Sequence, residues 1–255
     1  MKQIKFSSPQ ILKKDLIFMN KSIKSGWLTH GYYSEKFEKE FTNYTKSKYA
    51  TTVSSCTAGL HLACMAIGLG VEDEVIVPAQ THTATAHAVE YVGAKPVFAD
   101  IEIPSGNISP DNLIKKITKK TKAIIIVHLT GMPCKIDEII KIAKKFNLKI
   151  IEDCAHSLGS FYKDKHVGNF GIVGCFSFYP TKQITTGEGG MVISNNKSII
   201  DKISKLKAFG IDNDVNKRKI QGMYNVKKLG FNYRMTDFQA TLGYYQLKRY
   251  KSNLI

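Results

Sequence analysis

Two apolar rhythms alternate along this chain. Short runs such as Tyr49–Val53, Glu74–Val77, Pro96–Ala99, Ala123–Val127 and Lys149–Glu152 read as strands, and Gly174–Phe178 and Gly190–Ile193 add two more. Between them apolar residues recur every three or four positions, the spacing of a helix face, as Leu60, Cys64 and Ile67 do within Thr57–Leu69. The same spacing predicts helices over Thr83–Val92, Asp111–Ile117, Ile136–Phe146 and Ser198–Phe209, and Pro110 suits the first position of the second of these. Two helices precede the first strand: Asp15–Ser25, stopped by Gly26, and Ser34–Tyr44. Near the other end Gly230–Arg234 reads as a turn, and Asp237 as the cap of a helix carrying Leu242, Tyr245, Leu247 and Tyr250. Residues 210–228, polar and rich in lysine, read as a loop or flap.

Strands this short and apolar have no face to offer water. Interleaved with helices, they predict a three-layer α/β/α fold with a mainly parallel central sheet. Composition is compatible with that picture. The chain has 255 residues, 43% of them hydrophobic, enough for one sizeable core. Its net charge of +16 comes from 37 basic and 21 acidic residues. The excess is mostly lysine, spread over most of the chain and seldom beside aromatics, so it reads as a solvated surface that favours anionic ligands, not as a nucleic-acid footprint. The five cysteines are odd in number and lack C-x-x-C spacing, which argues against a disulfide framework or a zinc site and suits a reducing, cytoplasmic setting. Met1–Gln10 lacks the apolar run of a signal peptide, and the most apolar stretches are too short to span a bilayer.

Ligands of open parallel sheets bind at the carboxyl ends of the strands. After the first strand comes Ser54-Ser55-Cys56-Thr57-Ala58-Gly59, small and hydroxyl-rich at the start of a helix: a phosphate seat, or simply a capped helix. It has neither G-x-x-x-x-G-K-[ST] nor G-x-G-x-x-G spacing, so it is not a nucleotide loop of either kind. His82 follows the second strand, where an imidazole either lies on a bound ring or bonds the helix start. Glu152 and Asp153 end an apolar strand, where carboxylates are costly unless paired. An acid held there can keep a pyridine nitrogen protonated, or cap a helix; His156 is close by. Ser177 and then Lys182 follow the next strand, and a lysine in a sheet crevice is a candidate amine for carbonyl chemistry. Gly187-Glu188-Gly189-Gly190 follows, permitting close backbone approach. Asn232, Tyr233 and Arg234 precede the last helix, and the Arg234 fork suits a phosphate or carboxylate, or a pairing with Asp237.

These segments together resemble the DegT/DnrJ/EryC1/StrS family of sugar aminotransferases, which use pyridoxal 5′-phosphate (PLP). The resemblance runs from about Ser25 to Tyr250 and is carried by Ser54–His61, Gly70–Pro78, Tyr91–Asp100, Thr121–Ile124, His128–Gly131, Ile151–Asp153, Cys175–Lys182, Gly187–Gly190 and Gly230–Arg234. It implies the large domain of the type I PLP-dependent transferase fold. By resemblance Lys182 is the Schiff-base lysine and proton shuttle, Asp153 pairs with the pyridine nitrogen and His156 stands near the ring hydroxyl. His82 stacks on the ring; Thr57, Ala58 and Ser177 hold the phosphate; Asn232 reaches the phosphate of a partner across a homodimer interface. Glu188, Tyr233, Arg234 and the Asp212–Gly222 loop lie near substrate. The implied reaction passes nitrogen from glutamate to the cofactor, then to a keto group of a nucleotide-linked sugar, often a 4-keto-6-deoxy hexose destined for surface polysaccharide or lipopolysaccharide. Cys56 stands where the family commonly has glycine. The division expected is an N-terminal arm and helix (1–25), a PLP-binding large domain (26–240) and the start of a helix (241–255) leading to a small domain absent from this chain. Two other outcomes are an inert truncated PLP-binding homologue and a PLP-dependent sugar dehydratase, which typically carries histidine in place of the lysine.

Overall fold

The computed structural model describes residues 7–211, 220 and 222–250. Its centre is a seven-stranded sheet in the order β1 (Tyr49–Val53), β9 (Gly190–Ser194), β8 (Val173–Ser177), β5 (Lys149–Asp153), β4 (Thr121–Val127), β2 (Glu74–Pro78), β3 (Lys95–Ala99). Pairing is parallel from β8 through to β3, and β9 alone is reversed, antiparallel to both β1 and β8. Each predicted strand is present within a residue or so at either end.

Successive side chains of a strand point to opposite faces, and here both faces are covered. Ile124 and Ile126 of β4 join one core cluster, Ala123 and Ile125 the other. The first cluster takes in α2 (Tyr32–Thr45), α5 (Pro110–Lys116), α6 (Ile136–Lys145) and α8 (Asp237–Tyr250). The second takes in α3 (Cys56–Ala66), α4 (Thr83–Glu90) and α7 (Lys197–Leu206). Isoleucines 124, 125 and 151 are fully buried, each contributing roughly 1.5–3 kcal/mol. The helix α1 (Lys13–Lys24) packs on α8, with Phe18 stacked on Tyr245 at 3.6 Å and Asp15 bonded bidentately by Arg249. Among the described residues no helix is long and apolar enough to cross a membrane.

Three expectations are modified. The edge strand β3 is not buried on both faces, and Phe98 is half exposed because no strand lies beyond it. Gly230–Arg234 is not a turn but an extended segment that pairs with the end of α7 and the residues after it, through Phe231 N–H to Leu206 O and Tyr233 N–H to Lys207 O. Asp237 does not cap its own helix. Thr236 precedes it and donates its N–H and hydroxyl to Gln239 Oε1, while the Asp237 carboxylate accepts from Tyr33 N–H, Ser34 N–H and the Ser34 hydroxyl and so caps α2 from 203 residues away. Most of the expected Asp212–Gly222 loop lies outside the described residues. The sequence pattern also missed a small hairpin, β6 (Phe161–Tyr162) with β7 (Lys165–His166), turned by Lys163 and Asp164, both at positive φ.

Candidate active site

The strand pleat sorts the two acids at the end of β5. Glu152 shares parity with Ile150 and faces the α6 side; Asp153 shares parity with Ile151 and faces α3 and α4. Glu152 is fully buried, and its carboxylate accepts from His128 Nε2 at 3.0 Å and from the N–H groups of Gly168, Phe170 and Gly171 at 2.6–2.7 Å. His128, Glu152 and Cys154 sit close enough together to suggest a metal site. These hydrogen bonds already occupy the Glu152 oxygens, and His128 Nδ1 accepts from Cys134 N–H, so the group is a structural knot.

Asp153 is differently placed. Its Oδ1 accepts from Ala155 N–H at 3.1 Å and faces the Cys56 thiol at 3.8 Å, and its Oδ2 accepts from the Thr85 hydroxyl at 2.8 Å. Cys56 is the first residue of α3 and is buried. Burial and the charge of Asp153 push its thiol well above 9, so it is neutral at ordinary pH. Lys182 lies on the loop between β8 and β9 and is half-buried. Burial lowers its pKa from the ordinary value, and the neighbouring Cys56 and Asp153 oppose this only in part. His156 is also lowered, first by burial and then by the charge of Lys182, with Asp153 opposing and His82 adding. Lys182, Asp153 and His82 all act on His156 through their charge, and Asp153 acts on Lys182; the Gln183 amide on the His156 carbonyl joins the Lys182 loop to the segment after β5 by direct contact. His156 Nδ1 accepts from Thr130 N–H at 3.4 Å, which leaves the ring proton on Nε2, and its carbonyl accepts from the Gln183 amide. Thr130 holds its amide there from a left-handed backbone, φ 54°.

The hydroxyl-rich segment adjoins this crevice through the sheet. Gly190 pairs with Val53 on one side and with Ser177 on the other, so the end of β1 and the end of β8 flank a single glycine. A Cβ there would lie 2.6–2.8 Å from Ser55 C, Cys56 N and Phe176 O, which is why the position has none. Ser55 caps α3 by accepting from Ala58 N–H at 3.0 Å. The Ala58 amide is thus held from within, while the Cys56 and Thr57 amides have no acceptor among the described residues. The two readings of this segment do not exclude each other: the helix start is capped and still keeps open donors that could meet an anion. His82 likewise caps α4, Nδ1 accepting from Ala84 N–H at 3.1 Å, with its ring exposed.

The last segment reaches the seat by its backbone, Tyr233 O accepting from Ser54 N–H at 2.8 Å. The Tyr233 hydroxyl meets His61 and its ring stacks on Phe231. Arg234 donates to the exposed Asn232 side chain and lies over Phe209; the pairing with Asp237 considered from sequence is replaced by these contacts. Glu188 is exposed, its carbonyl accepting from Thr186 and Gln239. Sequence reading missed Thr85 and Gln183. The four-residue interval from Thr81 to Thr85 at a helix start was the available sign for the first; nothing marked the second.

Known proteins share this fold and part of its sequence. The chain is 42% identical over 250 residues to GDP-perosamine synthase of Escherichia coli O157:H7, an alignment covering 98% of this chain and 67% of that protein. It superposes on an aminotransferase from Psychrobacter cryohalolentis with a TM-score of 0.91 and 37% identity, covering 95% of this chain and 63% of that one. On Helicobacter pylori PseC, an aminotransferase involved in the biosynthesis of pseudoaminic acid, the TM-score is 0.92 at 32% identity, over 98% and 67% of the two chains. The chain spans 60–67% of the length of the curated relatives it matches. Residues 9–254 match the DegT/DnrJ/EryC1/StrS aminotransferase family, and with the type I transferase architecture and this crevice in place the chain belongs to that family.

Proposed function

We propose that this chain carries the cofactor-binding part of a PLP-dependent aminotransferase that moves an amino group from glutamate to the keto group of a nucleotide-linked sugar, a 4-keto-6-deoxy hexose. The observation that carries the reading is the meeting of Lys182, Asp153 and His156 beside the open amides of α3. These residues fit the cofactor: a buried carboxylate with acceptor capacity to spare on Oδ2, an amine eased toward its neutral form, and unpaired N–H groups for a phosphate. When bound, PLP supplies an electron sink that stabilises a carbanion next to its ring.

The chain's own residues supply the rest. Lys182 Nζ would hold the cofactor and, once freed by the incoming amine, would carry the proton between the substrate carbon and the cofactor carbon. Asp153 would keep the ring nitrogen protonated, His156 would stand near the ring hydroxyl, and His82 would cover a ring face. Thr57 and Ser177, with the Cys56 amide, would hold the phosphate, while Ala58, whose amide Ser55 already accepts, would only line the seat. Glu188, Tyr233 and Arg234 contribute to the substrate side. Asn232, exposed and tethered by Arg234, serves the site of a second copy in a homodimer. The sugar substrate is supported by relatives whose names specify GDP-perosamine and pseudoaminic acid, and surface-polysaccharide synthesis in the cytoplasm follows from it.

Adding PLP should produce an absorbance band near the visible edge, and borohydride should then fix the cofactor on Lys182, as read by peptide mass; Lys182→Ala should abolish the fixed adduct. Glutamate should release 2-oxoglutarate. Absence of binding by the unmutated protein refutes the cofactor site, whereas binding without 2-oxoglutarate refutes only the transfer reaction.

A further inference from the structure

The hydrogen bonds on Asp153 distinguish its two oxygens. Oδ1 has two donors, Ala155 N–H at 3.1 Å and the Cys56 thiol at 3.8 Å. Oδ2 has one, the Thr85 hydroxyl at 2.8 Å. A carboxylate oxygen has two acceptor positions, so Oδ1 is filled and Oδ2 keeps one with no partner among the described residues. Thr85 is fully buried, and its oxygen lies 2.8 Å from the Thr81 hydroxyl. A hydroxyl has a single proton. Thr85 spends it on Asp153, so Thr81 is the donor in the second pair. The direction is thereby set: Thr81 to Thr85 to Asp153 Oδ2.

We propose that Thr85 is a positioning residue for the cofactor's ring nitrogen, holding Asp153 so that the one open acceptor position, on Oδ2, is the one the ring N–H meets. The inference rests on the reading of this crevice as a PLP site. Thr85 acts through Asp153. Losing its proton would free the carboxylate to turn about its last torsion and would leave Oδ2 with one donor fewer at the moment the ring arrives.

The test uses the full chain, PLP, and the deaza analogue of PLP in which the ring nitrogen is replaced by C–H. Thr85→Val keeps the shape and removes the proton; Thr85→Ser keeps the proton. A hydrogen bond to a charged group corresponds to a change of about tenfold or more. Thr85→Val should weaken PLP by about that factor while binding the deaza analogue as the unmutated protein does, and the 15N signal of ring-labelled PLP should shift. Thr85→Ser should match the unmutated protein on all three measures. Thr81→Val, which removes the outer donor, should weaken PLP in the same sense by a smaller factor and serves if Thr85→Val does not fold. Equal losses for both ligands, losses in Thr85→Ser as large as in Thr85→Val, or unchanged PLP affinity and 15N signal in the valine variants each overturn the proposal. An unmutated protein that binds the deaza analogue but not PLP overturns it as well, and failure to bind either ligand overturns the cofactor reading on which it stands.

Discussion

Replacing Glu152 by glutamine removes one charge and little volume, yet the surroundings leave the new side chain no good orientation. Oε1 accepts from Phe170 and Gly171 N–H, Oε2 from Gly168 N–H and His128 Nε2. His128 cannot reverse its bond, because its Nδ1 already accepts from Cys134 N–H at 3.2 Å. A glutamine has one oxygen and one NH2, so whichever way it turns, two N–H donors face an NH2. Two hydrogen bonds to a charged group are lost, about 1.5–3 kcal/mol each and hence about 3–6 kcal/mol together. That is a large share of the roughly 5–15 kcal/mol that holds a domain folded. Urea unfolding followed by circular dichroism should show a lower midpoint at an unchanged slope. Acid supplies a second arm. Burial, the largest influence, raises the Glu152 carboxyl, but the hydrogen bond from His128 and the amides of Gly171 and Gly168 overcome it and hold the group below its ordinary value near 4.5. A carboxyl depressed on folding contributes stability above its unfolded pKa, and that contribution is lost as pH falls below it through the folded value. The gap between Glu152→Gln and the unmutated protein should therefore narrow on acidification below about 4.5. A variant within about 1 kcal/mol at neutral pH, or a gap that widens in acid, refutes the reasoning.

Two further outcomes concern the crevice. Labelling of Lys182 by an amine-reactive reagent should titrate below 10.5, and Asp153→Asn, by removing an opposing charge, should lower the midpoint further; a midpoint at or above 10.5 contradicts the burial argument. Gly190→Ala places a methyl against the backbone of Ser55, Cys56 and Phe176, which cannot yield cheaply, so thermal unfolding should show a loss of about 1–3 kcal/mol or more together with weaker PLP binding, and an unperturbed variant would show that the β1–β9 junction is looser than described.

The sheet was legible because its strands are buried on two faces and carry unbroken apolar runs, Ala123–Val127 above all. The helices were legible from their spacing, and α6 from its one-sided isoleucines. What the sequence concealed are features whose partners are remote or whose signal is brief. Asp237 looks like a local cap until α2 is brought to it. Gly230–Arg234 looks like a turn because the backbone it pairs with belongs to the end of another helix and the residues beyond. The β6–β7 hairpin offers two residues per strand, too few for any period. In the site, Asp153 announced itself as a costly acid ending an apolar strand, Lys182 as an amine following another strand, and His156 by its nearness to Asp153 in sequence. Thr85 did not, since a threonine inside a helix carries no such cost until a carboxylate is found against it. Glu152 and Asp153 were equivalent on paper, and only the pleat separated a structural acid from one that faces the crevice.

The reversed direction of β9 has a consequence for how the crevice is assembled. Because β8 leaves the sheet and β9 re-enters it at the same edge, the segment bearing Lys182 is an excursion between adjacent, hydrogen-bonded neighbours, closed by Phe178 N–H to Gly189 O and Thr186 N–H to Phe178 O. Its ends meet at low entropic cost, unlike a crossover that must traverse a layer. Lys182 is thus tethered by contacts close in sequence, while Asp153 and the start of α3 arrive from β5 and from β1, far along the chain. Completion of the crevice waits on long-range strand docking, so the amine's loop can form before there is anything for it to act with.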